Sequence, residues 1–323
     1  MSLTRRKMIQ GASALVFLAP MPARAGAATK MLGGPAFGGA WRLVLPIAAD
    51  AEAARRVVEA VVEAVDAAMS PWRDDSEIAR FNRSTVTGWH NISAMTCNVT
   101  AEAAEVSRLT GGAFDPTVGP LVARFGFGPI TGDFARGDNI LCRDDGLRKT
   151  DSALTLDLCG IAKGYALDLV GNSLRRLGMR DALIEMGGEV LALGAHPSGR
   201  SWQVAIEQPG ARAFAVQRII APGTLALATS GHAPQGYGGL RGRISHLIDP
   251  ITQRPALSAL ASVSVLAPTG ARADALATAL TVLGPDRGPQ LARQINIPAL
   301  FLIRRDSQID EIITAGFDRH ILA

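Results

Sequence analysis

Between residues 51 and 69, Val57, Val58, Val61, Val62 and Val65 recur at helical spacing with arginine and glutamate opposite, which predicts an amphipathic helix. The same period predicts shorter helices at 100–109, 162–177, 271–283 and 288–295. Short apolar runs predict strands at 41–47, 154–158, 182–186, 190–193, 202–206, 224–228, 262–266 and 299–303. These elements mix without regular strand–helix–strand units, so the pattern favours an α+β protein over a doubly wound sheet. Residues 126–146, rich in glycine and charge, read as a surface excursion. No repeat or Ser/Pro-rich linker follows residue 30, and the remainder is expected to form one domain.

The first residues change the charge picture. Arg5 and Arg6 precede a modest apolar run, Ala12 to Leu18, and Ala23-Arg24-Ala25 offers an A-x-A cleavage site. That arrangement predicts a twin-arginine export signal over residues 1–25, a mature domain over 26–323 and a periplasmic location. The apolar run is shorter than the ~18 residues that cross a bilayer and is followed by Pro20 and Pro22, so no membrane anchor is expected. The leader holds 4 of the 33 basic residues and no acid, which leaves 29 basic against 29 acidic. The formal charge of +4 therefore belongs to the leader, and nucleic-acid binding is not expected. Cys97, Cys142 and Cys159 match no zinc or thioredoxin spacing and read as small buried residues, although an oxidising compartment would permit one disulfide.

No P-loop, no H-E-x-x-H and no strand-bounded G-x-G-x-x-G with a following acid is present, so any phosphate site uses other devices. Asp157-Leu158-Cys159-Gly160-Ile161-Ala162-Lys163-Gly164-Tyr165 reads as a strand entering a helix through a glycine turn, which aims backbone N–H groups and a cation at one point. A tight turn with a solvated lysine would give the same pattern. Asp274 and Thr278 stand at i and i+4 on an otherwise apolar helix, a carboxylate and a hydroxyl suited to a hard cation. Asp274 would equally serve as a helix-start cap. His246, between Ser245 and the Leu247-Ile248-Asp249-Pro250 turn, has the chemistry of a general base, though a lone histidine is more often structural. Thr229-Ser230-Gly231-His232 adds hydroxyls, and Gly112-Ala113-Phe114-Asp115-Pro116-Thr117-Val118-Gly119 adds an acid in a turn.

Together these segments resemble the ApbE family of FAD:protein FMN transferases, from about Gly33 to Ile303. The resemblance also takes in Met69 to Asn82 and Glu185-Met186-Gly187-Gly188-Glu189. It implies a single α+β domain related to the T-fold, with mixed sheets and helices and the FAD site between lobes. It further implies a Mg²⁺ ion held by Asp274, Thr278 and the Ala162 carbonyl. FAD contacts are implied at Phe37, Ser70, Pro71, Trp72, Asp115, Lys163, Ser230, His246, Leu247 and Ile248. The implied reaction moves FMN from FAD to a Thr/Ser hydroxyl and releases AMP, with His246 as base. The acceptor would be a membrane redox protein carrying a D-[ST]-[GS]-A-T-like motif, in a setting such as nitrous oxide respiration. Hydrolysis of FAD to FMN and AMP, or FAD carriage without cleavage, remain open at this level. Three departures stand out: Phe37-Gly38-Gly39 replaces Met-Gly-Thr, Gln253 replaces the glycine of Asp-Pro-x-Thr-Gly, and Ala277 replaces a second acid found in some members.

Overall fold

The computed structural model describes residues 28–136, 140–143, 146–210, 215–231, 245–256, 258–305 and 308–323. The segment expected to be an export leader, His232, Arg243 and Ile244 lie outside the described residues. Six helices are described: α1 (Ala51–Met69), α2 (Glu77–Arg83), α3 (Ala94–Leu109), α4 (Gly119–Arg124), α5 (Ala162–Arg176) and α6 (Gly270–Gln294). The main sheet has eight strands: β1 (Thr29–Ala36), β2 (Gly39–Pro46), β3 (Ala182–Met186), β4 (Glu189–Leu193), β5 (Ala226–Gly231), β6 (Leu260–Ala267), β7 (Ala299–Arg305) and β8 (Gln308–Thr314). They lie side by side in chain order, and every neighbouring pair is antiparallel. Helices α1 to α5 fall between β2 and β3, and α6 falls between β6 and β7. This is the mixed α+β architecture that the pattern predicts.

The central strands are buried on both faces, which is why they read as continuous apolar runs and not as alternation. Trp41, Leu43, Ile184, Leu191, Val263 and Phe301 face the helices. Val44, Leu183, Val190, Leu227, Leu266 and Leu300 face Trp202, Phe317 and the hairpin formed by Val204–Glu207 and Val216–Ile220. Helix α1 has the predicted bounds: Asp50 accepts from the Ala53 N–H at 3.0 Å as its N-cap, and the face bearing Ala54, Val58 and Val65 is buried.

Several elements differ from the pattern. Helix α3 begins at Ala94, six residues before the predicted start, because Ser93 caps it and Glu77 accepts from both the Ser93 N–H (3.0 Å) and its hydroxyl (2.9 Å). The two helices predicted at 271–283 and 288–295 are joined end to end, with the break at Gly284, φ +79°. Residues 154–158 form no strand. Leu154, Leu156 and Leu158 are buried, as is Thr155, but the partner of Leu156 is a side chain. Asn82 donates to the Leu156 carbonyl and accepts from its N–H, both at 2.8 Å, so one amide does the work of a neighbouring strand. Part of the 126–146 stretch is ordered into a small sheet, where Leu141–Arg143 pairs with Gly146–Lys149. Of the cysteines, Cys97 is buried, Cys142 is partly buried and Cys159 is exposed, and all three are free thiols.

Candidate functional site

The first turns of α5 and α6 meet where two glycines remove the side chains between them. A Cβ on Gly164 would run into the Gly270 carbonyl, and one on Gly270 would run into the Gly164 carbonyl. Four residues beyond each glycine stands an aspartate, and the two aspartates cap each other's helix. Asp168 of α5 accepts from the Gly270 and Ala271 N–H groups at 2.7 and 3.0 Å, at the start of α6. Asp274 of α6 accepts from the Gly164 N–H at 3.2 Å, at the start of α5. Each carboxylate satisfies orphan donors and faces the positive end of the other helix. Asp274 is thus a cap, but of the neighbouring helix; its own helix is capped by Thr269, whose hydroxyl accepts from the Arg272 N–H at 3.3 Å. Gly164→Ala forces the two backbones apart and lowers stability by about 3 kcal/mol, measured as the midpoint shift in chemical denaturation; an unchanged midpoint would refute the close contact.

Lys163 gathers the acids of this junction. Its ammonium lies 3.2 and 3.3 Å from the two Asp274 oxygens and 3.1 Å from Glu189 Oε1. Asp274 is 4 % exposed and Glu189 2 %. Burial opposes the Lys163 charge, yet Asp274 and Glu189 outweigh it and raise the ammonium's pKa, so the lysine stays charged. Burial pushes the Glu189 carboxyl above the usual carboxylate range, against the pull of Lys163. Glu189 Oε2 is buried with no hydrogen-bond partner. The turn before Glu189 uses Gly187 and Gly188 at φ +64° and +107°, and a Cβ on Gly187 would stand 3.1 Å from Lys163 Cδ.

Gly160 opens the other side of this junction, since a Cβ there would lie 3.5 Å from Thr278 Oγ1 and 3.1 Å from the Phe114 ring. Thr278 is thereby placed against the glycine turn, one helical turn from Asp274. Ala162 is the first residue of α5 and follows the Gly160-Ile161 turn directly.

Asp115 is tied to the same region through its neighbours: Phe114 packs on Gly160, and the Pro116 carbonyl accepts from the Asp157 N–H at 2.7 Å. Asp115 Oδ1 accepts from the Thr117 N–H (2.8 Å) and hydroxyl (2.7 Å), and the Arg136 guanidinium stands 3.9 Å from Oδ2. Strand register brings Phe37 and Ser230 to this end of the sheet. Trp41 pairs with Met186 and the Gly187 N–H donates to the Ala40 carbonyl, so the Phe37-Gly38 turn lies beside Gly187-Gly188. Leu227 pairs with Val190, which carries Thr229 and Ser230 past Glu189. Phe37 sits at φ +48°, a strained conformation for a side-chain-bearing residue. Ser70, Pro71 and Trp72 follow α1, with the Ser70 carbonyl accepting from Ser76 Oγ at 2.7 Å and Trp72 54 % exposed.

His246 stands edge-on to Phe127, ring centroids 6.3 Å apart at 66°. Ile248 is buried behind it, and Ile248–Asp249 pairs with Arg254–Pro255. Gln253 takes φ +55°, a left-handed conformation that costs a side-chain-bearing residue strain. Ala277 is buried within the helix-side core, where a carboxylate would be costly without a partner. Glu189, Asp168 and Asn82 are the residues that motif reading left without roles. The sequence signal that points to Asp168 is the Gly-four-Asp spacing shared by α5 and α6.

The family model described as "ApbE family" matches residues 37–301. The chain belongs to the ApbE family. It is 35 % identical over 307 residues to the FAD:protein FMN transferase of Vibrio cholerae, covering 88 % of this chain and 91 % of that protein. It is 36 % identical over 283 residues to the protein of the same name from Haemophilus influenzae, covering 81 % of each. Among solved structures, the flavin transferase ApbE from Vibrio cholerae superposes with a TM-score of 0.80 at 33 % identity, covering 91 % of this chain and all of that one. The apo form of the Pseudomonas stutzeri flavinyl transferase ApbE gives 0.79 at 32 %, covering 92 % and 97 %. The ApbE fold therefore spans the site from the Phe37 turn to Asp274 and Thr278.

Proposed function

We propose that this ApbE-family chain is an FAD:protein FMN transferase that moves the FMN half of FAD onto a Thr or Ser hydroxyl of an acceptor protein and releases AMP. The observation that carries this reading is the junction of α5 and α6, where a buried carboxylate, a hydroxyl and a lysine converge on a glycine turn. The donors fit Mg²⁺: Asp274, Thr278 and the Ala162 carbonyl are hard oxygens, and Asp274 keeps lone pairs beyond those used by one N–H and one ammonium. When bound, Mg²⁺ supplies charge neutralisation at the pyrophosphate oxygens. Lys163 offers the leaving phosphate a second cation from the start of α5, where the helix dipole also favours an anion. Asp115, Phe37, Ser70 to Trp72, Ser230 and Leu247 to Ile248 are assigned to the flavin nucleotide. His246 takes the proton of the attacking hydroxyl.

We further propose export through the twin-arginine route, cleavage after Ala25, a mature domain over 26–323 and action in the periplasm on a membrane redox protein with a D-[ST]-[GS]-A-T-like motif. Among the described residues no helix is long and apolar enough to cross a membrane. The test is incubation of the protein with FAD, Mg²⁺ and an acceptor domain, followed by intact-mass analysis. The acceptor gains one phosphoester-linked FMN. Release of free FMN with an unmodified acceptor would mean hydrolysis, and intact FAD would mean carriage.

A further inference from the structure

Nothing in the transfer scheme uses Glu189, yet it is among the most buried charged groups of the site. It is delivered by a two-glycine turn, it holds the Lys163 ammonium at 3.1 Å through Oε1, and its Oε2 is buried without a hydrogen-bond partner. The same ammonium lies within 3.3 Å of both Asp274 oxygens. A divalent cation coming to Asp274 needs the oxygens that Lys163 contacts, so the two cations compete for one carboxylate. Glu189 is where the lysine goes. Its vacant oxygen gives a departing ammonium a second contact to replace the ones left behind, while the side chain stays at the first turn of α5 beside the phosphate turn.

Building on the metal reading above, we propose that Lys163 is an internal cation that Asp274 exchanges for the divalent metal, and that Glu189 is the positioning residue that receives it. Metal binding and lysine placement then become one event. Lys163 turns from neutralising Asp274 to facing phosphate only when the metal is in. Asp274, with one N–H from Gly164, remains fixed throughout by the helix it caps.

The experiment is a Mn²⁺ titration of FAD-free protein, followed by the EPR signal of the free aquo ion, on the parent, Lys163→Met, Glu189→Gln and the double variant. Thermal unfolding shows which of them fold. Lys163→Met binds Mn²⁺ about 10-fold tighter than the parent, as expected when a competitor for the site is removed. Glu189→Gln binds about 5-fold weaker, because the ammonium loses its second anchor and holds Asp274 more tightly. In the Lys163→Met background the same Glu189 replacement changes affinity by less than about twofold, since the exchange it served is gone. Equal weakening by Glu189→Gln in both backgrounds is a plain charge effect and overturns the proposal. Parent-like affinity in Lys163→Met also overturns it, and that reading stands even if Glu189→Gln does not fold. No Mn²⁺ binding by any variant refutes the metal reading itself, a distinct outcome.

Discussion

Asp274→Asn is expected to lower FMN transfer at saturating FAD and Mg²⁺ by about 10³-fold, equivalent to about 4 kcal/mol of transition-state stabilisation. The reason is a separation of its two tasks. An asparagine keeps the shape and an oxygen that can accept from the Gly164 N–H, so the cap of α5 survives. It loses the negative charge that holds Lys163 and would hold a hard cation. Asp274→Ala removes both, and its stability falls by about 1 kcal/mol more than that of the asparagine variant, the usual worth of a cap. The check is a paired measurement of transfer rate and unfolding midpoint on both variants. Full transfer by the asparagine variant would remove Asp274 from the chemistry and leave it a purely structural cap.

The same residue shows how far the chain could be read without its structure. The apolar period located α1, α5, both halves of α6 and most of the central strands, because these elements are decided by which face is buried. The apolar run failed as a strand signal at 154–158, where the segment is mostly buried but the Leu156 backbone is satisfied by Asn82 from a distant helix. No local pattern encodes a partner 74 residues away. Helix α2 and the early start of α3 escaped for a related reason: α2 is only seven residues long, with Ile78 and Phe81 as its apolar face, and the start of α3 is set by Ser93 and Glu77 capping.

At the site, motif order singled out Lys163, Asp274 and Thr278, and the fold brings them to one junction. Glu189 was visible only as the last letter of a motif. Its meaning depends on the β3–β4 turn being set against the first turn of α5, a contact that chain distance conceals. The substituted Gln253 illustrates the converse. A side-chain-bearing residue stands there at φ +55°, and Asp249 Oδ1 accepts from the Ile251 and Thr252 N–H groups, at 2.8 and 3.3 Å, within the same hairpin turn, a support that the substitution alone does not reveal.

That hairpin is what makes His246 the second place to expect a large loss. The acceptor hydroxyl is a poor nucleophile until its proton is taken, and a general base in the right position contributes about 10²–10⁴ in rate. The histidine is held from several sides. The Leu247 N–H donates to Ser245 Oγ at 3.1 Å, the Leu247 carbonyl accepts from the Ala256 N–H at 2.8 Å, Ile248 is buried, and Phe127 meets the imidazole ring edge-on. His246→Gln keeps a hydrogen-bonding side chain of similar reach but no basic nitrogen. It is expected to reduce kcat for transfer by about 10²–10⁴ while FAD affinity in the absence of acceptor changes by less than a few-fold. Hydrolysis of FAD by water should fall in parallel, since water needs the same base. An unimpaired kcat would dismiss His246 as the base. A lost FAD affinity with normal kcat would instead make it a binding residue, and the proton would have to go to another group near Lys163 and Asp274.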